Sequence, residues 1–128
     1  MKDLEKDVYQ HLKDRRWDTL RPVDIAKSIM IEGAELLELF QWENLSLEDV
    51  RKNPEKVQQI KKELADVLIY ALEMSVLLNL DTEQIVREKL AHVAKKYPAE
   101  LMRNRTEEPG TESMYWQIKK EYREKGLS

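Results

Sequence analysis

Two pairs of acidic residues lie in stretches that are otherwise apolar, and their side chains suit metal binding. Glu32 and Glu35 lie within "MIEGAELLELFQWENL", and Glu63 and Asp66 lie within "KKELADVLIYALEM". Carboxylates brought together in a partly dry site repel one another, so they take up protons or require a compensating cation. Mg²⁺ takes oxygen ligands and is commonly held by a few carboxylates together with substrate phosphates. The pattern indicates a Mg²⁺ site for a polyphosphate, with Mn²⁺ as a substitute.

Both pairs are predicted to border apolar helix stripes. Each helical residue advances by about 100°, which places several apolar side chains on one face of each helix. The two stripes are Ile25, Ile29, Leu36 and Phe40 in the first stretch, and Ile60, Leu64, Val67, Leu68 and Ala71 in the second. If the two helices pack antiparallel, the four carboxylates converge. A single E-x-x-E is usually a solvated face, but two pairs on two stripes favour a site. Glu38 and Glu73 lie farther from the stripes and are expected in solvent.

Helical elements must position these residues, and the sequence predicts one all-α domain over residues 1–128. Glycine and proline fall between segments with helical periodicity. Asn53 followed by Pro54 has the form of an N-cap and first helical residue, and Asp81 with Gln84 resembles a capping box. Four main helices are expected at about residues 3–15, 23–40, 54–80 and 82–97, followed by a loop and a short helix at about 114–125.

Composition excludes several classes of function. The net charge of −3 provides no basic field for nucleic acid or an anionic membrane. The absence of cysteine excludes disulfides, thiolate zinc sites and a cysteine nucleophile, and it suits a reducing cytosol. The charged N-terminus contains no signal peptide, and acidic residues interrupt the longest apolar run before it reaches the roughly 20 residues that a bilayer needs. We therefore expect a cytoplasmic protein without nucleic-acid or membrane partners.

The two acidic stretches together are similar to a known family. "EGAELLELFQW" followed by "KKELADVLIYALEM" closely resembles the MazG-like all-α nucleotide pyrophosphohydrolases, including small dCTP pyrophosphatase-like members. The similarity runs from "RRW" to "KKYP", about two thirds of the chain. It implies a four-helix MazG-like bundle with a short C-terminal helix, assembled as a homodimer or homotetramer with sites at the subunit interface.

The resemblance also implies an activity and its residues. The family cleaves nucleoside triphosphates between the α and β phosphates with Mg²⁺, releasing a monophosphate and pyrophosphate. A deoxynucleotide, standard or non-standard, is the expected substrate, and the expected role is cleaning the nucleotide pool. The matching metal ligands are Glu32, Glu35, Glu63 and Asp66, and one of them, or a water that they hold, also orients the attacking water.

Four further residues match substrate-binding positions of the family. Trp42 and Tyr70 match positions that line the nucleotide pocket, and Trp17 matches an aromatic residue near the base. Lys96 lies in the matching "KKYP", although cations there also complement the helix dipole. The chain departs from the family at "DTLR", where many relatives carry an aromatic residue and a histidine, and at Val93, where many have asparagine. Base specificity therefore does not transfer.

The remaining candidates have less specific patterns. His11 and His92 lack partner spacing, so surface positions or satisfied packing are expected for both. The C-terminal helix, with Tyr115, Trp116 and Lys119, either covers a neighbouring subunit or closes over the site.

Two other classes of function compete with the pyrophosphohydrolase. A di-iron bundle requires Glu-x-x-His pairs, and neither histidine lies three residues after a glutamate. A non-enzymatic helical oligomer or partner-binding module fits the apolar stripes equally well, but it leaves the acids at their borders without compensation.

Overall fold

The structure, a computed structural model, describes residues 1–104 and 113–127. Every regular element in this part of the chain is helical, as the sequence predicts. The chain divides into two compact units, Met1–Thr82 and Glu83–Ser128. The helices are α1 (Lys2–Asp14), α2 (Pro22–Glu38), α3 (Leu47–Arg51), α4 (Pro54–Leu77), α5 (Thr82–Lys96), α6 (Ala99–Arg103) and α7 (Met114–Glu124).

In the first unit, α4 is the central element, and α1, α2 and α3 all pack against it. Its main core lies between α1 and the C-terminal half of α4. Leu12 is fully buried there, Val8 and Leu72 are nearly so, and Val76 and Leu77 pack against them. Ile25 of α2 is buried as well. This core holds α4 at one end, and α2 packs along the same helix.

Local signals explain where the helices of this unit begin. The Asn53 side chain accepts a hydrogen bond of 3.1 Å from the Lys56 backbone N–H, and Pro54 is the first helical residue, as predicted. Pro22 likewise opens α2, which ends at Glu38, two residues earlier than expected. The short helix α3 was not predicted, although Ser46 caps it by accepting from the Asp49 N–H.

The end of α4 also differs slightly from the prediction. The helix stops at Leu77, and Asn79 adopts a left-handed φ of 56°. Asparagine tolerates this conformation better than most residues, and such a residue commonly terminates a helix. The Leu80 N–H then bonds the Ser75 carbonyl at 2.9 Å. The chain therefore leaves α4 three residues before the predicted end.

The apolar stripes of α2 and α4 are only partly covered. Ile29, Leu36 and Phe40 are half-buried, and so are Ile60 and Val67. In contrast, large apolar side chains remain exposed on both helices: Met30, Ile31 and Leu37 on α2, and Leu64, Leu68 and Ile69 on α4. The single chain leaves this surface in solvent.

The second unit contains most of α5 together with α6 and α7. Tyr97 stacks on Tyr115 with ring centroids 5.0 Å apart, which brings the region after α5 against the start of α7. Ser113 caps α7, and its side chain accepts from the Trp116 N–H. The short helix α6 was not predicted. Most of the predicted loop, residues 105–112, lies outside the described residues.

Among the described helices, none combines the length and the apolar character that crossing a bilayer requires.

Candidate metal centre

Three of the four predicted metal ligands come together between α2 and α4. Glu32, Glu63 and Asp66 each offer a carboxylate oxygen, and these three atoms all lie within 4.8 Å of one another. All three residues are half-buried. Residues 31 positions apart in the sequence meet because α2 and α4 pack along each other. The arrangement offers a hard cation three oxygen ligands from two helices.

The fourth predicted ligand, Glu35, is exposed and lies beside this group. Its pKa is raised, chiefly by a hydrogen bond to the Glu32 side chain and by the negative charge of Glu32. A hydrogen bond with Glu63 acts in the opposite direction, and the charge of Glu38 adds to the rise. The pKa of Glu35 therefore lies above its ordinary value because Glu32 hydrogen-bonds the protonated carboxyl and repels the ionised one.

The pKa of Glu63 is also raised, and burial is the first cause. A hydrogen bond with Glu35 and the charges of Glu35 and Asp66 add to the rise, while Lys62 opposes it. Two carboxyls in one cluster thus resist ionisation. The sequence predicts this repulsion between the two pairs of acids, and a bound cation would compensate their charge.

Two oxygen atoms of the cluster are buried without a partner. Glu32 Oε2 and Glu63 Oε2 accept no hydrogen bond from any described residue. A buried carboxylate oxygen without a donor is costly, so such an atom requires an explanation. The cluster offers only carboxylate oxygens, which come from two helices, and two of these oxygens have no hydrogen-bond partner among the described residues. Such a set of ligands fits Mg²⁺ or Mn²⁺.

A lysine that the sequence reasoning missed links the same two helices. Lys56, two helical turns before Glu63 on α4, donates a half-buried hydrogen bond of 2.7 Å from Nζ to the Leu39 carbonyl oxygen at the end of α2. Its ammonium group also lies 5.7 Å from the centroid of the Phe40 ring. Carbonyls at a helix C-terminus lack intrahelical partners and attract cations. Lys56 therefore ties the end of α2 to the beginning of α4.

The predicted substrate-binding residues of the first unit differ in exposure. Trp42, in the turn after α2, is 87% exposed. Trp17 is about half exposed and lies edge-on to His11, with ring centroids 6.1 Å apart. Tyr70 is half-buried on α4, one turn after Asp66. Within the described part of the chain, no hydrogen bond, ion pair or ring contact joins these three to the carboxylates.

Lys96, the fourth predicted substrate-binding residue, lies in the second unit. Its ammonium group is 4.9 Å from the Tyr122 ring centroid and 5.4 Å from the Tyr97 ring centroid. Two aromatic faces therefore hold Lys96 in place.

Two expectations about single residues were wrong. Glu73 was expected in solvent but is only 4% exposed, because α1 packs over this part of α4. Burial raises its pKa, and the charge of His11 opposes the rise. His92 was expected on the surface or with satisfied packing, yet its Nε2 atom is buried without a hydrogen-bond partner among the described residues. Glu38 is exposed, as expected.

Comparisons with known proteins agree with this architecture. dCTP pyrophosphatase 1 of Bos taurus is 26% identical over 105 residues, which are 80% of this chain and 62% of that protein. This chain thus spans less than two thirds of that relative's length. The crystal structure of a pyrophosphatase from Archaeoglobus fulgidus superposes with a TM-score of 0.67 at 33% identity, over 77% of this chain and 92% of that one. The MazG-like family model matches residues 27–110, which include both acidic pairs. The chain therefore belongs to the MazG-like family.

Proposed function

We propose that this protein hydrolyses a nucleoside triphosphate between its α and β phosphates, releasing a nucleoside monophosphate and pyrophosphate. The observation that carries the proposal is the cluster of Glu32, Glu63 and Asp66, each of which offers one carboxylate oxygen that lies within 4.8 Å of the other two. Two of its buried oxygen atoms lack partners among the described residues. Such a cluster suits a divalent cation that carries phosphates.

Each acidic residue has a proposed role in this reaction. Glu32, Glu63 and Asp66 hold Mg²⁺ or Mn²⁺, and Glu35 completes the ligand set from the exposed side of the cluster. Glu35 and Glu63, whose pKa values are raised, would be ionised when they act as ligands, because the charge of the cation favours that form. A bound Mg²⁺ lowers the pKa of a coordinated water and neutralises charge on the phosphates. One of the four carboxylates, or a water that they hold, would orient the attacking water.

The relatives support a nucleotide as the substrate. The curated relative is named a dCTP pyrophosphatase, and the solved structure is that of a pyrophosphatase. We propose a deoxynucleoside triphosphate, standard or non-standard, and a role in cleaning the nucleotide pool. Trp42, Trp17 and Tyr70 are proposed to contact the nucleoside, and Lys96 its phosphates. The 87% exposure of Trp42 leaves its ring available for stacking.

The assembly is proposed to be a homodimer or homotetramer in the cytoplasm, without nucleic-acid or membrane partners. On α4 alone, Leu64, Leu68 and Ile69 are each more than 40% exposed. Contiguous apolar surface of this kind typically marks a protein–protein interface. A second copy of the chain would bury it.

A purely structural helical oligomer is the competing function. It accounts for the apolar surface of α2 and α4. It does not account for a cluster in which burial raises the pKa of Glu63, a hydrogen bond with Glu32 raises that of Glu35, and neighbouring acids add to both shifts. Acids that serve only as interface residues are normally paired with cations. The cluster therefore favours the enzyme.

Product analysis with Mg²⁺ and a panel of nucleoside triphosphates tests the proposal. Chromatography should detect monophosphate and pyrophosphate in equal amounts, and EDTA should abolish their release. The Glu63→Gln variant is the matched control for contaminating hydrolases, because it retains the shape of the side chain. Diphosphate with orthophosphate as products, or equal turnover by Glu63→Gln, would contradict the proposal.

A further inference from the structure

Lys56 and its partner Leu39 lie at the same interval from the acidic cluster, one on each helix. Lys56 precedes Glu63 by seven residues on α4. Leu39, whose carbonyl accepts the hydrogen bond from Lys56, follows Glu32 by seven residues and still has helical φ and ψ of −63° and −18°. Seven residues are about two helical turns, or about 10 Å along each axis. The bond from Lys56 therefore lies on the same face of each helix as the cluster, two turns away.

The two contacts show that α2 and α4 run antiparallel at the cluster. A step of seven residues forward along α2, from Glu32 to Leu39, corresponds to a step of seven residues backward along α4, from Glu63 to Lys56. Only about two turns of regular helix on each side separate the bond from the carboxylates. The spacing of the helices at Lys56 therefore influences their spacing at the cluster.

The cluster and Lys56 act on the two helices in opposite directions. Carboxylates of like charge repel one another, and this repulsion favours the separation of α2 from α4. Lys56 opposes the separation through its hydrogen bond of 2.7 Å to the Leu39 carbonyl, and its Nζ atom lies 5.7 Å from the Phe40 ring centroid. Hydrogen bonds from charged donors are stronger than neutral ones, and solvent ions screen a partly buried contact less than an exposed one. Lys56 therefore holds the helices together close to the point where the acids push them apart.

We propose that Lys56 is a positioning residue for the metal centre, which keeps Glu32 of α2 within reach of Glu63 and Asp66 of α4 before a cation binds. The inference rests on the proposed function in taking this cluster as a divalent-cation site. An ammonium group has no lone pair to offer a metal, so Lys56 acts through the helices and not as a ligand. A site that already has its binding geometry loses less conformational freedom when the cation arrives, and it binds the cation more tightly.

Isothermal titration of the full chain with Mn²⁺, without nucleotide, tests this role apart from turnover. Lys56→Met should bind Mn²⁺ roughly threefold to tenfold more weakly than the parent. This loss is smaller than the 10- to 100-fold that is typical of groups in direct contact with a metal ligand, because Lys56 acts from two turns away. Lys56→Arg keeps a charged donor and should restore most of the affinity.

The direction of the change separates positioning from a simple effect of charge. Loss of a positive charge near a cation site strengthens cation binding by itself. Lys61→Met removes the same charge at an exposed position only two residues before Glu63, so it should bind Mn²⁺ as tightly as the parent or more tightly. Weaker binding by Lys56→Met therefore reports the placement of the ligands.

The Mg²⁺ dependence of turnover provides a second measurement. The Mg²⁺ concentration that gives half-maximal pyrophosphate release should rise in Lys56→Met by about the same factor as the Mn²⁺ dissociation constant. The rate at saturating Mg²⁺ should stay close to that of the parent, because the bound cation then holds the carboxylates together. A general loss of folded protein would instead lower the rate at every Mg²⁺ concentration.

Several outcomes would overturn the inference: unchanged or tighter Mn²⁺ binding by Lys56→Met, or an equal loss of affinity in Lys61→Met. Circular dichroism checks that Lys56→Met remains helical, and Lys56→Gln replaces it if it does not. A parent that binds no Mn²⁺ would overturn the inference together with the metal centre. A parent that binds Mn²⁺ with these differences between variants, yet releases no pyrophosphate, would contradict the proposed hydrolysis and support the role of Lys56.

Discussion

Glu35 on α2 and Glu63 on α4 lie close enough for each carboxyl to act on the pKa of the other. Burial is the first cause that raises the pKa of Glu63, and the charge of Glu35 adds to the rise, while the pKa of Glu35 is raised chiefly by Glu32. Bringing these acids together therefore disfavours their ionised forms.

Replacing either member of this pair by glutamine should separate activity from stability. Glu35→Gln and Glu63→Gln keep the side-chain shape but remove a charge that is proposed to hold the metal. Since changing groups that only orient metal ligands already costs roughly 10- to 100-fold, Mg²⁺-dependent pyrophosphate release should fall by at least about a hundredfold. The melting temperature in EDTA should hold or rise, because one like charge has gone.

Acids that served as structural ion pairs would behave in the opposite way. Removing one partner of a buried pair leaves an unmatched charge, so the fold would lose stability in EDTA. Scanning calorimetry of both variants in EDTA distinguishes the two cases.

Trp42 should affect substrate binding rather than folding. A core tryptophan replaced by alanine costs about 3–5 kcal/mol, whereas most surface substitutions change stability by less than about 0.5 kcal/mol. Because Trp42 is 87% exposed, the urea concentration at the midpoint of unfolding should be nearly the same for Trp42→Ala as for the parent. Steady-state kinetics should show a severalfold rise in KM or an altered base preference. Trp42→Phe, which keeps an aromatic face, should restore much of the affinity; a large loss of stability without a change in selectivity would argue for a packing role.

Lys56 should stabilise the contact between α2 and α4. Lys56→Met keeps much of the aliphatic stem but removes the donor to the Leu39 carbonyl. Hydrogen bonds from charged groups contribute roughly 1.5–3 kcal/mol to stability, and partial exposure reduces this contribution. We therefore expect urea denaturation to show a free energy of unfolding that is lower by about 1 kcal/mol. Lys61→Met, at an exposed site on the same helix, is the control. Equal unfolding curves for the two variants would show that the bond contributes nothing.

Glu73 should make stability depend on pH. Burial raises its pKa in the folded chain above the ordinary value of 4.5, so the folded state favours the protonated form. The contribution of Glu73 to the free energy of unfolding should be greatest below that ordinary value and should fall as pH rises from it through the folded pKa.

Glu73→Gln removes this pH dependence. The variant should match the parent near pH 4 and be more stable than the parent at neutral pH, as measured by urea unfolding across the pH range. Glu43→Gln, at an exposed position, should follow the parent throughout. A Glu73→Gln variant that is less stable than the parent at neutral pH would refute the burial argument.

Exposed apolar residues on α4 should mediate self-association. Light scattering should find the parent as a dimer or tetramer at micromolar concentration. Leu68→Glu, at a position that is 53% exposed on α4, should shift it toward monomer because a charge cannot be buried cheaply at an interface. Leu47→Glu, equally apolar and 66% exposed on α3, should not. A monomeric parent would contradict an interface on α2 and α4.

The sequence by itself determined the features that depend on neighbouring residues. Asn53 and Pro54 mark the start of α4 because capping involves atoms within one turn of the chain. The 100° advance per residue places Glu32 at the border of the stripe on α2, and Asp66 at that of α4, whatever packs against them. The all-helical class and the positions of the main helices follow from the same local rules.

Only the tertiary structure decided which of these borders meet. It brings Glu32 to Glu63 and Asp66 and leaves Glu35 exposed beside them. Packing of α1 over α4 buries Glu73, although its spacing resembles that of a solvated residue. The hydrogen bond from Lys56 to the Leu39 carbonyl was equally invisible in the sequence. Burial and charge proximity are sums over contacts between residues distant in the sequence, and a helical period read along one segment contains no information about its partner.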